Sequence, residues 1–174
     1  MTMVAALAAM TMNAQVYLGG GLNLSSTSKD GNSSTKIAVT PEIGYVLDEN
    51  SALGLGITFS TSGKDASKQT TFGVNPYYRY NVVKTEKVNL FLDGSFTFMN
   101  YKGDGSNKDY KENEWSVGIR PGVAVALNEK LSFVSHFGFV GYETVNPDGD
   151  DNNRSAFGLG LNGNSLTFGL YYNF

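Results

Sequence analysis

A chain of 174 residues with a formal charge of −3 and no cysteine allows one domain and excludes disulfides and thiol chemistry. It has no basic stripe, which argues against a nucleic-acid partner. Four prolines, 21 glycines, ten tyrosines and eleven phenylalanines, with no long helical pattern, point to an all-β protein. The mean hydropathy of −0.20 resembles that of a soluble protein. A membrane barrel reaches the same average, because its lipid-facing and lumen-facing residues alternate.

Residues 1–14 read as a secretory signal. Val4-Ala5-Ala6-Leu7-Ala8-Ala9-Met10 is an apolar core, and Asn13-Ala14-Gln15 ends it with cleavage after Ala14. No Lys or Arg precedes that core, and Met12 is large for the third position before the cut. A start assigned too late accounts for the missing basic residues, and a short buried helix is the alternative reading.

From Gln15 onward, apolar residues recur at every second position, the period of a strand with one apolar face. The first strand carries Val16, Leu18, Leu22 and Leu24, followed by the polar connector Thr27–Ser34. The second carries Ile37, Val39, Pro41, Ile43, Tyr45 and Leu47 and turns tightly at Asp48-Glu49-Asn50. Leu53, Leu55, Ile57 and Phe59 form the third, followed by the long Ser62–Gln69. The fourth has Phe72, Val74, Pro76, Tyr78, Tyr80 and Val82 before the short Lys84–Lys87. The fifth has Val88, Leu90, Leu92, Phe96 and Phe98 before the long Lys102–Lys111. Trp115, Val117, Ile119, Pro121, Val123, Val125 and Leu127 form the sixth, which turns at Asn128-Glu129-Lys130. The seventh has Leu131, Phe133, Phe137 and Phe139, then Asn146–Asn153. The eighth runs from about Arg154 to Phe174. Phe157, Leu159 and Leu161 keep odd phase and Leu166 onward is even, so Gly163-Asn164 is expected to hold a β-bulge. A turn into a ninth strand is the alternative.

Long and short connectors alternate throughout. This is the asymmetry of an eight-stranded antiparallel up-and-down transmembrane β-barrel, with short periplasmic turns and longer outer loops. The charges agree. Only Glu42, Arg79, Asp93 and Arg120 fall mid-strand, all on the face opposite the apolar ladder. Chance would place four charges on one named face about one time in sixteen by period-two parity. A lysine or arginine on the lipid face near the midplane costs about 2–4 kcal/mol. Two positive and two negative charges at similar heights are therefore expected to pair inside the lumen, as structural filling or as a gate. Tyr17, Tyr77, Phe91, Met99, Tyr101 and Tyr142 share the inward parity and would plug the remainder.

Aromatic residues sort to the strand ends. Phe59, Phe72, Phe98, Trp115 and Phe139 are the outward residues nearest the long loops; Tyr45, Tyr78, Tyr80, Tyr172 and Phe174 are nearest the short turns. Phe72 to Tyr80 spans roughly 20 Å vertically at about 3.3 Å per residue and a tilt near 40°. The final stretch keeps Phe168, Leu170, Tyr172 and Phe174 on one face, with Thr167, Gly169, Tyr171 and Asn173 on the other.

The Asn13-Ala14-Gln15 signal end, the alternating strands and the closing Gly169-Leu170-Tyr171-Tyr172-Asn173-Phe174 resemble the small outer-membrane β-barrel family. OmpX/OmpA-like eight-stranded barrels are the nearest type, and the signal end is similar to that of Bacteroidetes barrels. The resemblance covers nearly all of Gln15–Phe174 and rests on patterns more than on diagnostic residues. It implies location in the outer membrane of a Gram-negative bacterium and contact with outer-membrane lipid and lipopolysaccharide. It also implies an aromatic last strand read by the barrel-assembly machinery, with Phe174 as its terminal element. The peptidoglycan-binding domain of larger OmpA-type proteins has no counterpart here, so wall anchoring is not implied.

Catalysis finds little support. Lipid A deacylase barrels resemble this architecture and use a His followed two residues later by Ser on the lipid face. The only histidine, His136, is followed by Gly138 and has inward parity, so it reads as a lumen hydrogen-bonding residue. Omptin-type proteases need Asp and His on outer loops, and these loops hold no His. The acidic Asn146–Asn153 has oxygen ligands but lacks the spacing of a calcium loop and reads as a solvated turn; no cofactor or metal site is expected. Gly19-Gly20-Gly21 and Gly54/Gly56 precede no helix and read as aids to curvature or close packing. The leading expectation is a non-catalytic surface barrel contacting an extracellular protein or host surface. A narrow gated pore and a soluble lipocalin-like carrier are the other readings.

Overall fold

The computed structural model describes residues 16–29, 32–64, 67–104, 109–147, 154–160 and 167–174. The signal reading of residues 1–14 therefore lies outside the described residues. Ten β-segments follow in order: β1 (Val16–Lys29), β2 (Asn32–Val46), β3 (Ser51–Lys64), β4 (Ser67–Lys84), β5 (Val88–Asp104), β6 (Asp109–Ala126), β7 (Leu131–His136), β8 (Phe139–Pro147), β9 (Arg154–Gly160) and β10 (Thr167–Asn173). β1 to β6 pair in chain order, each antiparallel to the next. β10 closes the ring on β1, from Tyr17↔Asn173 to Leu22↔Phe168.

The barrel is eight-stranded because its last two staves are each made of two segments. β7 pairs with β6 at Gly122–Ala126 and β8 pairs with it at Glu112–Ile119. β10 pairs with β7, and β9 with β8. Since β7 and β8 both run antiparallel to β6, β9 and β10 point the same way and form no hairpin. The ninth-strand alternative is thereby excluded. Outward apolar residues have odd numbers in β9 and even ones in β10, so the phase slips between them. The expected position of the slip, Gly163-Asn164, lies outside the described residues.

The seventh stave corrects the sequence reading. Gly122 pairs with His136 and Ile119 with Val140, so four chain steps oppose three: a bulge with one extra residue. It sits at Phe137-Gly138, where Gly138 takes φ 82°, a left-handed conformation that glycine adopts without steric cost. The extra residue flips the face of everything that follows. Phe139 turns inward over Gly118 and Gly141 instead of joining the outer aromatic ring. Tyr142 turns outward against Trp115, with ring centroids 5.6 Å apart, instead of plugging the lumen.

Elsewhere the ladders face outward. Leu22, Leu53, Phe59, Phe98 and Leu170 are exposed at 41–59%, a surface that only lipid covers without cost. The compact interior is Tyr17, Ala52, Phe91, Val134 and Tyr171, all on the opposite face. A lipocalin-like carrier would need the reverse arrangement.

Candidate functional site

The lumen is filled near its short-turn half by a layer built around Arg79. Register makes Arg79, Asp93 and Arg120 successive partners across β4, β5 and β6. All three point inward by strand parity. Arg79 Nε and an Nη donate to the two Asp93 oxygens at 2.8 Å each. Asp93 is fully buried and Arg79 is 6% exposed, so neither charge is tolerable without the other. The guanidinium stacks on Phe91, 3.9 Å from the ring centroid, with the Tyr77 and Tyr171 rings each at 5.3 Å. Aromatic faces add cation–π attraction in a place where water is excluded.

His136 completes this group from β7. Its Nε2 lies 2.8 Å from Asp93 Oδ2, and its Nδ1 lies 3.4 Å from the Thr167 hydroxyl. With Nε2–H donated to the carboxylate, Nδ1 is left to accept from Thr167. The ring meets Phe91 edge-on at 5.3 Å. This is the hydrogen-bonding lumen role read for His136 from parity.

The four mid-strand charges do not form two latches. Arg79 and Asp93 pair. Glu42, two strands away on β2, accepts instead from the Tyr77 and Tyr171 hydroxyls at 2.9 and 2.6 Å. Tyr77 spends its one proton on Glu42, so the Tyr17 hydroxyl, 2.9 Å away, donates to Tyr77. Arg120 turns toward the outer side and donates to Asn75 Oδ1 at 2.7 Å, leaving its buried Nε without a partner among the described residues. The tyrosine hydroxyls and Asn75 are the partners that charge counting missed. Their inward parity was readable, but nothing in the sequence says that a phenol will reach across the barrel before an arginine does.

Two glycines create the room. An added Cβ at Gly44 would sit 2.0 Å from Tyr17 Cζ, and one at Gly54 would sit 2.1 Å from Tyr77 Cζ. The rings lie flat against neighbouring backbone, which only a residue without a side chain permits. Tyr17 also stacks on Tyr171 with centroids 5.3 Å apart. Below this layer, at the short-turn end, a cavity of about 350 Å³ is lined by Asp48, Glu49 and Lys84 and reaches Arg79, Phe91 and Tyr171. Above it the lumen becomes acidic: Tyr101 donates to Glu114 at 2.9 Å, and Glu112 and Glu143 share the inward face. Among the described residues no group of three or more His, Asp or Glu is arranged to hold a metal. Most of the acidic Asn146–Asn153 lies outside them.

Solved structures with the same architecture include Neisserial surface protein A, at 14% identity and TM-score 0.58 over 91% of this chain and 97% of that one. The N-terminal β-barrel domain of Pseudomonas aeruginosa OprF matches at 10% identity and TM-score 0.56, over 92% and 98%. Ail, the attachment invasion locus protein of Yersinia pestis, matches at 12% identity and TM-score 0.55, over 94% and 100%. At these identities the likeness shows the fold alone. No curated protein matches the sequence. A family profile described as the outer membrane protein beta-barrel domain matches residues 1–174. With its lipid-facing ladders and closed ring, this chain belongs to that family and is an integral protein of the bacterial outer membrane.

Proposed function

We propose that this barrel is a non-catalytic surface-interaction protein whose outer strand ends bind an extended segment of an extracellular protein or host surface. The carrying observation is the closed lumen: Arg79, Asp93, His136 and four aromatic rings fill one layer. A blocked interior leaves the outside as the working surface. There, β1 and β2 stay paired out to Lys29↔Asn32, and β5 and β6 out to Asp104↔Asp109. Hairpin ends that run this far toward the long connectors are the surface on which an extended partner segment would dock. At the opposite end, the outward row Phe168, Leu170, Tyr172 and Phe174 is the surface we assign to recognition by the barrel-assembly machinery.

One observation favours a second reading, a narrow gated path. The 350 Å³ cavity ends at Arg79, so the short-turn half of the lumen is open up to that layer. Single-channel recording of the folded protein in a planar bilayer separates the two. A silent bilayer supports the surface reading. Discrete steps altered by Arg79→Ala or Arg120→Ala would replace it with the pore, the Glu42/Arg79/Asp93/Arg120 group then acting as the gate.

A further inference from the structure

On the outer side of the Arg79 layer, two buried polar atoms on neighbouring strands have no partner among the described residues: Arg120 Nε on β6 and Ser95 Oγ on β5. Both side chains lie on the inner face. Asp93 stands opposite Arg120 and Ser95 opposite Gly118, so Ser95 is the next inward residue along β5. The Arg120 guanidinium donates to Asn75 Oδ1 on β4, and the Asn75 amide donates to the Thr97 hydroxyl on β5 at 2.6 Å. Two strand spacings, about 10 Å, separate β6 from β4. To span them, the arginine crosses the inner face of β5 between Asp93 and Thr97. That path runs over Ser95, which is 5% exposed.

Arg120 also lacks a counter-charge. The ion pairs among the described residues join Asp93 to Arg79 and to His136, and these two occupy both of its oxygens. Glu42 lies four staves away on β2, held by tyrosine hydroxyls. The next inward carboxylate along β6 is Glu114, six residues farther out. Glu143 on β8 stands opposite Ser116, four residues farther out, which is roughly 13 Å. With His136 neutral, two guanidinium groups face one carboxylate in this part of the lumen, an excess of one positive charge. A half-buried cation whose described hydrogen bond goes to a neutral amide calls for an anion. A bridging water would satisfy both orphaned atoms but leave the charge unmet.

We propose that Arg120 and Ser95 bind a small monovalent anion of the chloride class inside the lumen. Arg120 Nε–H and the Ser95 hydroxyl donate to it. The Thr97 hydroxyl accepts from Asn75 and keeps its own hydrogen to give. The tip of the Phe139 ring lies over Gly118, the register partner of Ser95, so the side toward β8 is an aromatic edge, the positive part of the ring. Farther out, Glu112, Glu114 and Glu143 repel multivalent anions more strongly than a halide. The site is the same in a closed lumen and in a narrow path, and it is independent of what the outer strand ends bind.

The test is urea unfolding of the detergent-folded barrel, with sodium gluconate exchanged stepwise for sodium chloride at constant ionic strength. Folding of each sample is checked by the mobility difference between unheated and boiled protein. An ion bound by the folded state alone raises the midpoint with the logarithm of its concentration once that exceeds Kd. The unchanged chain should show this rise, and K87Q, altered in a distant turn, should keep it. S95A should need about tenfold more chloride for the same rise, as loss of one hydrogen bond to a charged group implies. R120Q should show no rise; if it does not fold, S95A carries the test alone. A midpoint indifferent to chloride in the unchanged chain overturns the anion and leaves a bridging water. The same chloride dependence in the unchanged chain and in the S95A and R120Q variants is a general salt effect and overturns the site. In crystals grown with bromide, the anomalous peak should lie within hydrogen-bonding reach of Arg120 and Ser95, and no peak there overturns the assignment.

Discussion

Asp93 lies in the most demanding position of the molecule, since its carboxylate faces Arg79, His136 and no water. Asp93→Ala leaves a buried guanidinium without its counter-charge and should cost about 3–5 kcal/mol. Urea unfolding followed by the fluorescence of Trp115 measures it. The double change Arg79→Met with Asp93→Leu should recover most of that loss, because well-packed apolar residues often replace a buried pair without penalty. Glu42→Gln keeps an acceptor for Tyr77 and Tyr171 and should cost only about 1 kcal/mol. Equal losses for Asp93→Ala and Glu42→Gln would mean that the layer is held by general polarity and not by the Arg79–Asp93 pair. At Gly54, even a methyl group meets the Tyr77 ring. Gly54→Val should therefore lose about 1–3 kcal/mol from overpacking in the same assay. At this scale, parity told which charges face inward, because a period of two leaves no choice of side. Partner choice was not readable, because it depends on side-chain reach across a tilted ring of strands.

Turns and staves obey more local rules. In the β2–β3 turn, the Asp48 carboxylate accepts from the Ser51 hydroxyl and from the backbone amides of Asn50 and Ser51. These bonds, the hydroxyl first, hold its pKa below the ordinary aspartate value. A depressed folded pKa contributes stability above the unfolded value and loses it as pH falls through the folded one. Amide exchange at Asn50 and Ser51 should therefore accelerate below about pH 4, the range set by the unfolded aspartate. Asp48→Ala should exchange fast at every pH; a pH-dependent rise persisting in that variant would assign the effect to another group. The alternation of long and short connectors, and the strands between them, were legible because each turn resets the pattern locally. The bulge at Phe137-Gly138 was not. Phe133, Phe137 and Phe139 keep one parity in the sequence, and a single inserted residue reverses faces without leaving a mark in an apolar run. Only the pairing of β6 with both β7 and β8 exposes it.

For the molecule as a whole, everything turns on ring closure, since an open edge in lipid leaves backbone groups unpaired. Closure depends on the ladder of β1 with β10, anchored at its end by the Phe174 amide on the Val16 carbonyl. Deleting Tyr172, Asn173 and Phe174 removes the pairs Leu18↔Tyr172 and Tyr17↔Asn173. The truncated chain should not acquire the mobility difference between unheated and boiled samples, either in refolding trials or in cells. Phe174→Ala separates two roles for this end. Its side chain packs on Tyr172 with ring centroids 5.1 Å apart on the lipid side, so its removal leaves the ladder intact. Refolding into lipid vesicles should then proceed to the same yield as for the unchanged chain, whereas the amount of folded barrel in the outer membrane of cells should fall severalfold. A parallel loss in vesicles would make Phe174 a packing residue of the closed ring. Normal yield in both settings would remove it from assembly altogether and leave Phe168, Leu170 and Tyr172 as the face to test next.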